Sequence, residues 1–256
     1  MEETLPKVSI LIPTYNRPEF LPLIGVNIVC QDYPKELLEV VIIDDHPTNQ
    51  LFPNEQTLKA FQDQLEIPVT YLYKPQRHLS IGEKRNLLVK CAKHKILINF
   101  DDDDLYFSTY IRYSVTQLLK NKVGMVGSNQ MLFVYPHLSW KTSGIKCSEK
   151  RMIHEASMCY TKKHWKSMGG FNKNSKGEGC KMVDYNEKRC FTTDIDMCMV
   201  CICHKKNTID KTMFENENTE LIDFEVSDFH KKLIHQVLDL DKHNKDKEGE
   251  NDYEMI

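Results

Sequence analysis

No stretch of this sequence approaches the roughly 18 consecutive apolar residues that a membrane span requires, so no integral membrane segment is expected. The opening residues Met1-Glu-Glu-Thr-Leu-Pro-Lys7 lack the basic start and apolar stretch of a secretory signal. An excess of one charge is lacking too. The 34 Lys and Arg against 37 Asp and Glu leave a formal net charge of -3, without the basic footprint that nucleic-acid binding needs. No internal repeats occur. The nine cysteines are odd in number and irregular in spacing, which excludes a disulfide framework and predicts reduced thiols in a cytosol-like compartment, hence a cytoplasmic protein. Cys198, Cys201, Cys203 and His204 do not read as a zinc knuckle, because they lie in an apolar run, Met197 to Cys203, that predicts a buried strand.

What is present is ordinary globular material, 41% hydrophobic and 28% charged over 256 residues, enough for one sizeable core. Val8 to Ile12 predicts a strand. The turn Pro13-Thr-Tyr-Asn-Arg-Pro18 then opens a helix with Phe20, Leu23, Ile24 and Ile28 at helical spacing. Val40 to Ile43 is a second buried strand ending in Asp44-Asp45, so the two strands should be parallel neighbours with a right-handed crossover. A third strand is expected at Val69 to Tyr73. Ser80-Ile-Gly-Glu83 is a capping box for a helix with Leu87, Leu88, Cys91 and Ala92 on its inner side. Ile96 to Phe100 then runs into four aspartates. This alternation predicts an α/β fold with a mainly parallel, doubly wound sheet and its ligand at the strands' carboxyl ends, where Asp45 and Asp101 to Asp104 should face one crevice.

After Tyr106 the pattern predicts a helix to about Lys120, strands near 123–126, 130–135 and 156–160 in a more antiparallel half, and a short helix at 163–168 stopped by Gly169-Gly170. One domain over 1–238 is expected, its halves at about 6–126 and 127–238. The polar segment 239–256 has too little apolar content to fold and reads as a disordered tail.

Four successive carboxylates repel one another, and a divalent cation relieves that repulsion. Oxygen ligands suit Mg2+ or Mn2+, which bind one or two carboxylates plus substrate phosphates. Strand alternation would put Asp101 and Asp103 on one side, Asp102 and Asp104 on the other. A calcium loop is excluded, since the stretch has no glycine at its sixth position and no glutamate at its twelfth.

Val8-Ser-Ile-Leu-Ile-Pro-Thr-Tyr-Asn-Arg17, Val41-Ile-Ile-Asp-Asp45, Arg85-Asn86 with Ala92, and Phe100-Asp-Asp-Asp-Asp-Leu-Tyr106 together resemble the ordered motifs of family 2 glycosyltransferases with the GT-A fold, over roughly residues 6 to 210. The resemblance implies an inverting, hexosyltransferase-type enzyme that moves a sugar from a nucleotide-diphosphate donor, a UDP-sugar by default, to a glycan or other hydroxyl acceptor. It places Pro13, Tyr15, Arg17, Asp45, Arg85 and Asp102 around the nucleotide, with Lys84 adding positive charge, and Asp103 with Asp101 on a Mn2+ or Mg2+ that neutralises the leaving diphosphate. It also offers His204 as a further metal ligand.

The family's usual general base lies in a Gly-Glu-Asp stretch. Here the corresponding residues are Gly177-Glu-Gly179, so the aspartate is missing, and Glu178 is the base, Asp184 supplies it, or the reaction is lost. The last case would leave a non-catalytic nucleotide- or sugar-binding module. A nucleotidyltransferase is the other rival, but the turn after the first strand lacks the glycine-rich phosphate loop it needs. Trp140, His154, Glu155 and Trp165 lie where the family builds its acceptor pocket. The Gly-Glu-Gly variant with His204-Lys-Lys-Asn-Thr208 is similar to glycosyltransferases of large DNA viruses, which would put the protein in a host cytoplasm.

Overall fold

The structure, a computed structural model, describes residues 5–147, 152–183, 189–217 and 224–239. The expected segment 239–256 therefore lies outside the described residues except for Asp239. β1 (Val8–Thr14) and β2 (Leu38–Asp44) are buried along their whole length and pair in parallel, Ile10 opposite Val40 and Ile12 opposite Ile42. They are joined by a single helical turn at Pro18–Phe20 and by α1 (Leu21–Val29). Such continuous apolar runs are what a sheet covered on both faces demands.

β3 (Val69–Tyr73) adds beyond β2, reached through α2 (Glu55–Leu65). That helix was not anticipated. Its start is set by Asn54, whose side chain accepts the Thr57 N–H at 2.9 Å, satisfying a backbone donor that the first helical turn leaves open. α3 (Ile81–Cys91) begins with the expected capping box between Ser80 and Glu83. Its inner residues are Leu88, Val89 and Ala92, whereas Cys91 is exposed, one helical step too far round to face the sheet.

β4 (Ile96–Asn99) then returns to the other side of β1, Ile98 opposite Ile10. The seven-stranded sheet has the order β10-β6-β9-β4-β1-β2-β3. Its remaining members are β6 (Met125–Gly127), β9 (Cys159–Thr161) and β10 (Cys190–Thr192). β9 runs antiparallel to both β4 and β6, while β10 is parallel to β6. One sheet thus crosses the expected boundary at 126.

α4 (Tyr110–Lys120) precedes β6, and α5 (Lys162–Ser167) follows β9 and ends before Gly169 and Gly170, whose φ of 75° and 78° are the left-handed values expected there. Alternate side chains of the strands feed two cores. Ile10, Ile12, Val40 and Ile42 meet α1, α2 and α4; Leu11, Val41, Ile43 and Leu97 meet α3.

A smaller four-stranded sheet, ordered β5-β11-β7-β8, flanks the first. It comprises β5 (Leu105–Tyr106), β7 (Gln130–Tyr135), β8 (Lys141–Lys146) and β11 (Met199–Ile202). Cys198, Cys201 and Cys203 are buried in or beside β11. α6 (Asp228–Leu238) packs on α1. Among the described residues no helix is long and apolar enough to cross a membrane.

Candidate active site

The chain goes β1, β2, β3 in one direction and then returns to the far side of β1, so the order of the sheet reverses between β1 and β4. The loops leaving the carboxyl ends of those two strands must splay apart, and the gap is where open α/β sheets take ligands. Here it is a cavity of about 350 Å³, walled by Pro13 to Arg17 at and beyond the end of β1, Asp101 to Asp104 after β4, Lys84 and Arg85 of α3, Glu155, Glu178, residues 206–209 and Lys211.

The four aspartates do not alternate as a strand would. β4 ends at Asn99 and the acidic residues form a turn, so their carboxylates are shared out among Arg85, Arg17 and Lys211. Arg85 Nη2 donates to Asp101 Oδ1 at 2.8 Å. Arg17 Nη1 bridges Asp102 Oδ1 at 2.7 Å and Asp103 Oδ2 at 2.9 Å, and the Thr14 hydroxyl donates to Asp102. Asp104 accepts the Ile202 N–H at 3.2 Å and lies 3.7 Å from Lys211 Nζ.

Burial pushes the Asp102 carboxyl up to about 6 against the pull of Arg17, and the Asp104 carboxyl up to about 7 against Lys211. Asp103 goes the other way. Burial opposes its charge, but Arg17, His204 and Lys211 together hold it well below the ordinary carboxylate range.

His204 Nε2 sits 3.2 Å from Asp103 Oδ2 and donates toward it, while Nδ1 accepts the Lys206 N–H at 3.2 Å; burial lowers the imidazole pKa, and Nε2 would bind a cation once it gives up that proton. Adjacent ligands of an octahedral cation bound at about 2.1 Å are about 3 Å apart, so the Asp103–His204 spacing fits two sites of one Mg2+ or Mn2+ shell. Asp101 stands apart from this pair, on Arg85. Among the described residues no three His, Cys, Asp or Glu side chains already converge as a metal set.

The residues expected around the nucleotide divide. Pro13 and Tyr15 line the cavity, with Tyr15 37% exposed between His46 and His78, ring centroids 4.9 and 4.4 Å away. Arg17 is the bridge between two acids and also donates to the Lys206 carbonyl at 2.5 Å. Asp45 does not face the crevice. Its buried carboxylate pairs with Lys84 and accepts the Leu79 N–H, while Lys84 Nζ also donates to the Thr14 carbonyl at 2.8 Å. Lys84 is therefore the residue that reaches the cavity, with Asp45 behind it; burial lowers the Lys84 pKa, opposed by Asp45.

At the opposite end Arg85, only 2% exposed, spans Asp101 and Glu178, its Nε donating to Glu178 Oε1 at 3.0 Å. Arg85 Nη1 is buried without a hydrogen-bond partner. Gly177 takes the positive φ of 62° that caps the short helical turn Glu178–Lys181, so the Gly-Glu-Gly stretch is a built corner of the site. Asp184 lies outside the described residues.

His154 and Glu155 line the cavity. Trp140 and Trp165 do not: Trp140 meets His235 at 5.3 Å, and Trp165 Nε1 donates to Asn86 Oδ1 at 2.9 Å under α3. Lys206 and Asn207 were noted from the sequence only within the His204–Thr208 segment, with no role of their own, and Lys211 was not noted at all. They sit in a polar stretch with no periodicity, and only the fold brings them over the aspartates.

Comparison with known proteins places this geometry. Residues 9–175, about two thirds of the chain, match the family described as Glycosyl transferase family 2. Poly(ribitol-phosphate) beta-N-acetylglucosaminyltransferase TarS of Staphylococcus aureus is 30% identical over 98 residues, which is 38% of this chain and 16% of TarS. Glycosyltransferase AglE of Haloferax volcanii is 28% identical over 137 residues, 54% of this chain and 43% of AglE.

Of solved structures, S. aureus TarS 1-349 in complex with UDP superposes with a TM-score of 0.62 at 15% identity, covering 77% of this chain and 60% of that one. Mannosyltransferase PcManGT from Pyrobaculum calidifontis, in complex with GDP-Man and Mn2+, gives 0.60 at 20% identity, covering 79% and 59%. The chain thus spans less than two thirds of each of these relatives. Their likeness in structure fixes the fold as GT-A, and with the match over residues 9–175 the chain belongs to glycosyl transferase family 2.

Proposed function

We propose that this protein is a metal-dependent, inverting glycosyltransferase that takes a sugar from a nucleotide-diphosphate donor, UDP-linked by default, and gives it to an acceptor hydroxyl. The observation that carries the reading is the 3.2 Å approach of His204 Nε2 to Asp103 Oδ2, beside a cavity lined by four aspartates at the sheet's switch point. Relatives crystallised with UDP, and with GDP-Man and Mn2+, support the class of donor.

Asp103 and His204 would hold the cation, with Asp101 at the margin. Bound there, it supplies Lewis-acid stabilisation of the charge that develops on the leaving diphosphate. Pro13 and Tyr15 offer an apolar and aromatic wall to the base, Asp102 and Arg17 sit at the sugar–phosphate side, and Lys84 and Arg85 add fixed positive charge, with Asp45 keeping Lys84 aimed. The halves 6–126 and 127–238 would serve donor and acceptor respectively. The proton acceptor belongs among the carboxylates at the Glu178 end of the cavity.

The test is a thermal-shift series with UDP, GDP, UDP-sugars and GDP-mannose, each with and without Mn2+. A ligand at a hundred times its Kd stabilises the folded state by about 2.7 kcal/mol. The expected result is a rise that needs both one nucleotide and the metal, and that Asp103→Ala removes. No rise with any pair, or a rise indifferent to Mn2+ and to Asp103→Ala, overturns the proposal.

A further inference from the structure

Gly179 is a glycine without a backbone reason, because it does not take a positive φ. Its reason is steric. A Cβ built there would lie 2.6 Å from Glu155 Cγ, 3.0 Å from Glu155 Oε1 and 2.7 Å from Met158 Cε. The Glu155 side chain fills the space that a side chain at 179 would otherwise enter, and Glu155 Oε1 accepts the Gly179 N–H at 3.0 Å.

The backbone of Glu155 is itself clamped to the strand that delivers the aspartates, since Asn99 Nδ2 donates to the Glu155 carbonyl at 2.8 Å. Its carboxylate is half-buried and lines the same cavity as Asp101 to Asp104. Glu178 is committed elsewhere. Its side chain is 6% exposed and its Oε1 is taken by Arg85. Burial, reinforced by the neighbouring Glu178 charge, raises the Glu155 pKa, which moves a carboxylate toward the range where proton acceptance at neutral pH is effective.

We infer that Glu155 is the catalytic base of this enzyme, its longer side chain bringing a carboxylate from the β9 side into the space that the glycine at 179 leaves open. The inference rests on the transferase reading above. In the step it performs, Glu155 accepts the proton of the acceptor hydroxyl as that oxygen forms a bond to the anomeric carbon of the donor. The bond from that carbon to the diphosphate oxygen breaks, and its electron pair leaves with the nucleoside diphosphate. With water as acceptor the products are free sugar and nucleoside diphosphate.

The experiment uses the full chain with Mn2+ and a panel of UDP-sugars and GDP-mannose, reading nucleoside diphosphate release and, separately, Mn2+-dependent nucleotide affinity. Glu155→Gln should lower release about 100-fold or more, the usual scale for a lost general base, with nucleotide affinity within twofold of wild type. Glu178→Gln should lower it less. Glu155→Ala combined with Gly179→Asp, which removes the Glu155 side chain, leaves only the flexible end of Met158 to shift and returns a carboxylate to the same space, should recover at least about tenfold over Glu155→Ala alone.

Release by Glu155→Gln within threefold of wild type overturns the assignment while leaving the transferase reading intact. So does a paired variant that binds nucleotide normally but recovers nothing. Wild-type protein that neither binds nor turns over any donor sinks both readings.

Discussion

Replacing Arg85 by methionine should strongly destabilise this molecule. The guanidinium is 2% exposed and donates to Asp101 at 2.8 Å and to Glu178 at 3.0 Å. Methionine keeps most of the volume but leaves two carboxylates without the cation between them. Breaking a buried pair by removing one partner typically costs about 3–5 kcal/mol. Asp101 is 27% exposed and can recover hydration, whereas Glu178, at 6%, cannot, so the lower end applies, about 3 kcal/mol. For a protein of this size that is a fall in Tm of about 6–12 °C.

The assay is urea denaturation followed by circular dichroism, with a double-mutant cycle. Arg85→Met with Glu178→Gln should be about 1–2 kcal/mol more stable than the two separate losses predict, because the neutral amide no longer needs the cation. A single variant within 1 kcal/mol of wild type, or strictly additive losses, would refute the reasoning.

Three further outcomes are expected. Asp103→Asn keeps the shape of the side chain but removes the charge that faces His204, so Mn2+-dependent UDP affinity should fall at least about tenfold in calorimetry while metal-free affinity stays unchanged. Gly82→Ala places a Cβ 1.7 Å from the Asn172 backbone oxygen, so α3 must part from the 172–178 loop, and stability should drop by about 3 kcal/mol in urea titration. Burial holds the His154 imidazole down to about 4, below the 6.5 of an unfolded chain. The unfolded state therefore binds the proton first, and the stability from this ring is full above about pH 6.5 and is lost as pH falls toward 4, by at most about 3 kcal/mol. Comparing urea midpoints of wild type and His154→Asn at pH 7 and 4.5 should show the variant losing less.

The β1 and β4 side of the cavity was legible because it is written in consecutive residues. A strand of β-branched residues that ends in Pro-Thr-Tyr-Asn-Arg, and another that ends in four aspartates, fix both the sheet edge and the chemistry set there. The sequence reading erred where a local period was carried one residue too far. It treated the aspartates as strand although β4 ends at Asn99, which is why Asp102 and Asp103 share Arg17 and Asp101 goes to Arg85.

It also passed over α2, although Asn54 with Leu58, Phe61 and Leu65 has the spacing of a capped helix, because its outer face is almost wholly polar. Contacts between distant segments left no trace of any kind. That Asp45 lies behind Lys84, and that Glu155 fills the space above Gly179, are consequences of packing between elements that no pattern within either element encodes.

The strap from His204 to Lys211 crosses over the aspartates and ties back to the start of the chain, Lys206 to Glu19 and to Arg17, 187 and 189 residues away. A ribosome makes the acidic turn long before it makes that strap. At about 5–20 residues per second, the interval between Asp104 and Lys211 lasts roughly 5 to 20 s. Through it the growing chain carries its aspartates with Arg17 and Arg85 available but His204 and Lys211 still unsynthesised. The ligand crevice therefore becomes electrically balanced only late in synthesis, and a nascent chain halted before residue 204 should keep it open.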